Sequence, residues 1–397
     1  MGYVSKKINS FLEQGSEIRK MFEEGAILKQ KYGAENVFDL SLGNPIIEPP
    51  EEFYSALQNI AKTRPKGIHR YMSNSGYQFT RQSIAENLSK ETELEFSENN
   101  IIMTCGAGGA LNVVLKTLLN DGDNVIILNP YFVEYRFYID NHNGESFVVD
   151  CDDNFYPNIN ELKNTITQNT KAIIINSPNN PTGVIYPPKV IQDIVNVIHE
   201  KEKELNINIF IISDEPYRKV IYDAKEYPFL YKFHDRTIVA TSHSKDLGLP
   251  GERIGYIAVN PLLKEPETLI DGMIFCNRTL GFVNAPALMQ NIVGDLQNVT
   301  VDITEYTQKR DFLFNALSKI GYEVKKPEGA FYMFPKSPLM NDRDFIKLLK
   351  DQNVLVVPGS AFGKQGYFRI SYCVTQDELE GSIPGFETAF QKAVKQN

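Results

Sequence analysis

Residues 171–218 read KAIIINSPNNPTGVIYPPKVIQDIVNVIHEKEKELNINIFIISDEPYR, and this stretch decides the fold. Two isoleucine-rich runs, KAIIIN (171–176) and IFIIS (209–213), bracket a segment (190–204) in which apolar residues recur at helical spacing. Unbroken β-branched runs suit strands covered on both faces, and a 3.6-residue period suits an amphipathic helix. A strand, a helix and a second strand in that order argue for a parallel pair with a helical crossover. Working outward, the same texture recurs in IIMT (101–104), NVIIL (124–128), SFVV (146–149), TIVAT (237–241) and IGYIAV (254–259), with helical patterns such as 110–119 between most of them. The expected fold class is α/β: a large domain built on a mostly parallel seven-stranded sheet covered by helices.

Past residue 284 the texture changes. A long helical stretch runs to about 319. The runs GYEVKK, AFYMF, NVLVVPG and YFRISYC follow, with a helix near 342–351 among them and another at the end. This mix points to a smaller α/β domain. Near the start, Ile8, Phe11, Leu12, Ile18, Met21 and Phe22 recur at helical spacing, and this helix is expected to join the smaller domain. The division expected is 46–290 for the large domain, and 1–45 with 291–397 for a discontinuous small one.

Composition narrows the class. The chain has 397 residues, too many for one small core, and 41 basic against 50 acidic side chains give a net charge of -9. No basic run stands out, so nucleic acid is not an expected partner. The four cysteines (105, 151, 276, 373) form no C-x-x-C pair, and the five histidines show no metal-ligand spacing, so no metal is expected. No apolar run reaches the ~18 residues that would span a bilayer, and the N-terminus lacks a signal-peptide core. A cytoplasmic location is expected by default.

Chemistry gathers where strands end. TCGAGGAL (104–111) puts glycines between a strand and a helix, where free N–H groups and the helix dipole favour an anion; a bare tight turn is the alternative. A dinucleotide fingerprint fails, because Leu111 stands at its last glycine. SPNNPTG (177–183) is a turn, or a turn that also aims an asparagine into the crevice. In SDEPYR (213–218), Asp214 could stabilise a buried cation and Tyr217 an oxyanion, or Asp214 could cap a helix while Tyr217 packs. SHSKDLGLPGERIGY (242–256) sets Lys245 at a strand end, where a lowered pKa would suit a Schiff base. Arg369 lies inside the apolar FRISY (368–372), facing either a substrate carboxylate or a structural partner. Together these make the kit for pyridoxal phosphate: a cradle for its phosphate, a carboxylate for its ring nitrogen, donors for its phenolic oxygen and an amine for its aldehyde.

On these motifs the chain resembles the class I/II aminotransferases of the pyridoxal phosphate fold type I superfamily (aspartate aminotransferase-like), from LSLGNP to FRISY. The resemblance implies that Lys245 carries the cofactor and then shuttles the α-proton. It matches Asp214 to the partner of the ring nitrogen, and Tyr217 and Asn180 to the donors for the phenolic oxygen. Ala107 and Gly108 match the backbone phosphate cradle, completed by Ser242, Ser244 and Arg253. Phe132 matches the aromatic that stacks on the ring. Arg369 matches the arginine that grips the α-carboxylate, with Gly43 and Asn180 nearby. Tyr71 matches a tyrosine that reaches the neighbouring subunit's phosphate, which implies a homodimer with shared sites. Gly and Phe stand where many members have a hydroxyl in the cradle and a tryptophan on the ring. Arg278 lies near a region that supplies a second arginine for dicarboxylates, and its role stays open.

The expected activity is transfer of an amino group from an amino acid to a 2-oxo acid, with aspartate and 2-oxoglutarate as the candidate pair. Two alternatives stand beside it. One is another pyridoxal phosphate reaction on amino acids, such as a β-lyase or decarboxylase. The other is a non-enzymatic ligand-sensing module.

Overall fold

The computed structural model describes residues 3–14, 25 and 27–396; Ile18, Met21 and Phe22 of the expected N-terminal helix lie outside them. After the two-residue strand β1 (Phe38–Asp39) come the seven strands of the main sheet. These are β2 (Ile101–Thr104), β3 (Asn124–Leu128), β4 (Glu145–Val149), β5 (Thr170–Asn176), β6 (Phe210–Asp214), β7 (Thr237–Ser242) and β8 (Gly255–Val259). Their order across the sheet is β2-β8-β7-β6-β5-β3-β4.

Side-chain alternation divides each central strand between two cores. On β5, Ile173 and Ile175 join the core with Ile191, Ile194 and Ile198 of the helix Pro188–Leu205. Ala172 and Ile174 face the opposite core, with Ala110, Val113 and Val114 of the helix Gly106–Leu118. Burying an isoleucine this way stabilises the fold by about 1.5–3 kcal/mol, so the sheet cannot slip by one residue without exposing one core to exchange with the other.

One strand departs from the parallel pattern. β8 pairs antiparallel with β7 and with β2. Between Ser242 and Gly255 the chain forms only turns and a short 3-10 helix, Pro250–Glu252, which is too little for a crossover helix. The reversal matters: it brings the start of β8 to the edge where the other strands end. Gly255 is thus opposite both Thr104 and Ser242.

Both chain ends contribute to a further core, apart from the two that flank the main sheet. β1 pairs parallel with β10 (Val354–Leu355), and β11 (Val357–Pro358), β12 (Phe368–Ser371) and β9 (Tyr332–Met333) form an antiparallel sheet in that order. Val37 and Leu40 pack there with Leu313, Leu317, Phe345 and Phe386. The described N-terminal helix, Lys6–Gln14, lies against the helix Glu134–Asp140: Lys7 pairs with Asp140 at 2.5 Å, and Phe11 meets Phe137 edge-on at 5.0 Å.

The expected long helix over 284–319 is broken. It divides into Ala287–Val293, a 3-10 turn and Thr304–Ile320. The intervening chain leaves the helical path because the Val301 N–H donates to the Asp246 carbonyl at 2.7 Å, and Asp302 accepts from the Thr304 N–H at 2.8 Å to start the second helix. GYEVKK joins no ladder; its Glu323 carbonyl accepts a single bond, from the Lys336 N–H.

Candidate active site

Strand register assembles the site. Asn176 lies opposite Asp214, and Asp214 opposite Ala240, so the ends of β5, β6 and β7 stand side by side. A cavity of about 370 Å³ opens over these ends, the usual ligand position in open α/β sheets. Ala107, Gly108, Phe132, Asp214, Tyr217 and Lys245 line it. So do Ser242, Ser244 and Arg253 on one side, and Gly43, Asn180 and Arg369 on the other. Tyr71 does not line it; it is 90% exposed on its own surface. Arg278 is also outside, exposed and lying over the Phe275 ring at 5.3 Å.

Lys245 donates to the Gly43 carbonyl at 3.0 Å and sits over the Phe331 ring at 5.3 Å. No ion pair joins it to a carboxylate among the described residues. Burial therefore pulls its pKa from 10.5 down to about 8, with the Arg253 and Arg369 charges adding to the fall and the Cys373 thiol opposing it.

Asp214 is buried at the end of β6. Its Oδ2 accepts from the Tyr135 hydroxyl, its main-chain carbonyl accepts from Asn176 Nδ2 at 2.9 Å, and its Oδ1 has no partner. Burial pushes the acid up to about 7, against the lowering effect of the Tyr135 bond. Asp214 caps no helix: it is the last strand residue, and turns follow.

Arg369 is buried between the rings of Tyr332 and Phe362, 4.6 and 4.7 Å from their centres. It donates to Asn180 Oδ1 at 3.0 Å and to the Ser41 carbonyl at 2.6 Å, and its Nε is unpartnered. Neither acceptor carries charge, so among the described residues Arg369 has no structural salt bridge, and a buried guanidinium faces the cavity. The two asparagines of SPNNPTG divide the work. Asn179 Oδ1 builds the turn, accepting from the Thr182 N–H and hydroxyl at 3.1 and 2.8 Å, which leaves Asn180 for Arg369.

Two close approaches explain glycines. A Cβ on Gly43 would lie 1.9 Å from the Tyr332 hydroxyl. Gly106 has φ +72, and a Cβ there would sit 2.9 Å from an Arg253 guanidinium nitrogen. Arg253 thus covers the first turn of the helix Gly106–Leu118, where free N–H groups and a cation converge on the place an anion would take.

Sequence reasoning missed Tyr332, whose hydroxyl lies 2.9 Å from that of Tyr217. It also missed Tyr135 and Tyr138. The spacing of Phe132, Tyr135 and Tyr138 in NPYFVEYRFY was a usable signal, since residues three apart share a helix face.

A sheet of this order, with Asp214, Lys245 and Arg253 near its strand ends and Arg369 reaching the same cavity from β12, defines an α/β protein whose site offers an amine, an acid and two guanidinium groups to a small molecule. Residues 35–383 match the family model described as aminotransferase class I and II, and the chain belongs to that family. A probable aspartate aminotransferase of Methanocaldococcus jannaschii is 34% identical, over 89% of this chain and 93% of that protein. The aromatic-amino-acid aminotransferase 2 of Thermococcus litoralis is 31% identical, over 95% and 96%. An amino transferase structure from Eubacterium rectale superposes with a TM-score of 0.95 at 36% identity, covering 99% of both chains. The chain is therefore an aminotransferase, a transferase of nitrogenous groups. Among the described residues, no helix is long and apolar enough to cross a membrane.

Proposed function

We propose that this aminotransferase uses pyridoxal 5'-phosphate held on Lys245, and moves the amino group of an amino acid to a 2-oxo acid. The observation that carries the reading is the pairing, in one cavity, of an amine with a lowered pKa and a buried carboxylate oxygen that lacks a partner. The residues fit the cofactor. Asp214 Oδ1 suits a protonated ring nitrogen, Tyr217 and Asn180 the phenolic oxygen, and Phe132 a ring face. Ala107, Gly108, Ser242, Ser244 and Arg253 suit the phosphate.

Bound there, the cofactor would supply an aldehyde that exchanges amines and a ring that takes up the electron pair released at Cα. The protein's side chains do the rest. Arg369 grips the substrate α-carboxylate with two parallel donors and orients Cα. Lys245 Nζ, once free, takes the proton from Cα; a pKa near 8 rather than 10.5 raises the share of neutral amine at pH 7 to about a tenth, from well under a thousandth. Asp214 holds the proton on the ring nitrogen.

The name of the Methanocaldococcus relative supports aspartate as the donor, that of the Thermococcus relative supports aromatic donors, and 2-oxoglutarate is proposed as the acceptor. We further propose a cytoplasmic homodimer in which Tyr71 of each chain completes the other's site. Its exposure leaves it available for that role, and a solution mass of one chain would overturn it. The division into 46–290, and 1–45 with 291–397, is also a proposal, with the helix Lys6–Gln14 reaching across to the large unit.

The test is a visible spectrum of the loaded protein with a panel of amino acids. The yellow band should bleach with aspartate, alanine or an aromatic donor and return with a 2-oxo acid. Release of ammonia and pyruvate without any 2-oxo acid acceptor would favour β-elimination, and no band after added pyridoxal phosphate would sink the proposal.

Arg369→Gln should lower kcat/KM on the order of 10²–10³-fold, because truncating one partner of a buried charge pair costs about 2–5 kcal/mol. Most of the loss should appear in KM. Steady-state kinetics on an amine without an α-carboxylate should be unaffected.

A further inference from the structure

Tyr138 sits on the helix Glu134–Asp140 and lines the cavity, yet the roles above leave it unused. Its hydroxyl lies 3.2 Å from where a Cβ on Gly108 would stand, so it fills the space a side chain at that position would take. Among the described residues this hydroxyl has no hydrogen-bond partner. Two residues earlier, Arg253 crowds Gly106 in the same way. A cation and a neutral hydroxyl thus flank one helical turn whose N–H groups face the cavity.

We infer that the Tyr138 hydroxyl donates a hydrogen bond to the cofactor's phosphate, taking the place of the hydroxyl side chain that residue 108 lacks. The inference rests on the proposed function. Chemistry favours the phosphate over the substrate. The hydroxyl stands over Gly108, on the turn that Arg253 covers, whereas Lys245 and Arg369, which mark the reacting end, bond to Gly43, Asn180 and Ser41. Burial, with Glu134 and Asp214, raises the phenol to about 12, so it keeps its proton and can only donate to a dianion. Glu134, one turn earlier on the same helix, also lines the cavity and is the competing acceptor.

The test is a titration of cofactor-free protein with pyridoxal phosphate and, separately, with pyridoxal, which lacks the phosphate. Tyr138→Phe should weaken pyridoxal phosphate about tenfold or more, the usual worth of a hydrogen bond to a charged group. Pyridoxal should bind parent and variant equally. Adding Gly108→Ser to Tyr138→Phe should restore most of the loss, because the serine enters the space the hydroxyl has left. Unchanged pyridoxal phosphate affinity in Tyr138→Phe would overturn the inference, as would an equal loss for pyridoxal. Should the parent itself bind no pyridoxal phosphate, the proposed function falls along with it.

Discussion

Lys245→Ala leaves a folded chain that no longer transfers amino groups. Turnover should fall by about 10⁴-fold or more, the upper end of what a positioned general base contributes. The loss is that large because one amine both carries the cofactor and moves the α-proton. Among the described residues no other lysine lines the cavity to take over. Stability should move the other way. In the folded protein the Lys245 pKa is about 8, against an ordinary 10.5, so the folded state binds fewer protons than the unfolded chain across that interval. Its contribution is fully present above the higher value and lost as pH falls through the lower one. At pH 7 the cofactor-free protein therefore carries a penalty of at most about 3 kcal/mol, which a neutral side chain of similar volume removes. Lys245→Met should melt higher than the parent at pH 7, and the gap should close toward pH 10.5. Thermal unfolding of both proteins across that range checks the sign. A variant that kept parental turnover would remove Lys245 from the mechanism.

Asp214→Asn should reduce turnover on the order of 10²–10³-fold while the cofactor remains bound. An amide matches the shape of the acid but cannot balance a protonated ring nitrogen, and losing the charge from such a buried pair costs about 2–5 kcal/mol. Single-turnover rates separate this loss in chemistry from any loss of binding. The pH profile adds an independent readout. The folded pKa of about 7 lies above the ordinary 3.8, so the cofactor-free fold keeps a proton that the unfolded chain has released. That contribution is present at low pH and lost as pH rises through about 7. Asp214→Asn should flatten this part of the stability curve, and an unchanged curve would mean that the acid is solvated.

Most of the seven strands were legible because a strand buried on both faces has no need of polar residues; the edge strand β4, where Val148 is exposed, was legible from its β-branched and aromatic residues instead. The strand-end motifs were legible for a related reason: a residue such as Asp214 or Lys245, bounded by an apolar run, stands out against it. The helical reading of 284–319 failed at its middle because the Val301–Asp246 bond joins residues far apart in sequence, and local pattern carries no trace of it. Tyr332 escaped notice because AFYMF reads as core. The strand pairing that turns its hydroxyl toward Tyr217, over a glycine that makes room, is a property of the assembled domain.

The sequence by itself determined the architecture, the strand ends that carry chemistry and the kinds of group found there, since periodicity and turn chemistry are local. Only the tertiary structure decided how those groups are poised. It left the Arg369 guanidinium without a carboxylate, drew the amine of Lys245 down and the acid of Asp214 up, and brought Tyr138 to the bare face of Gly108. Each of these depends on burial and on distances between residues remote in the chain, and neither exists until the cores have packed.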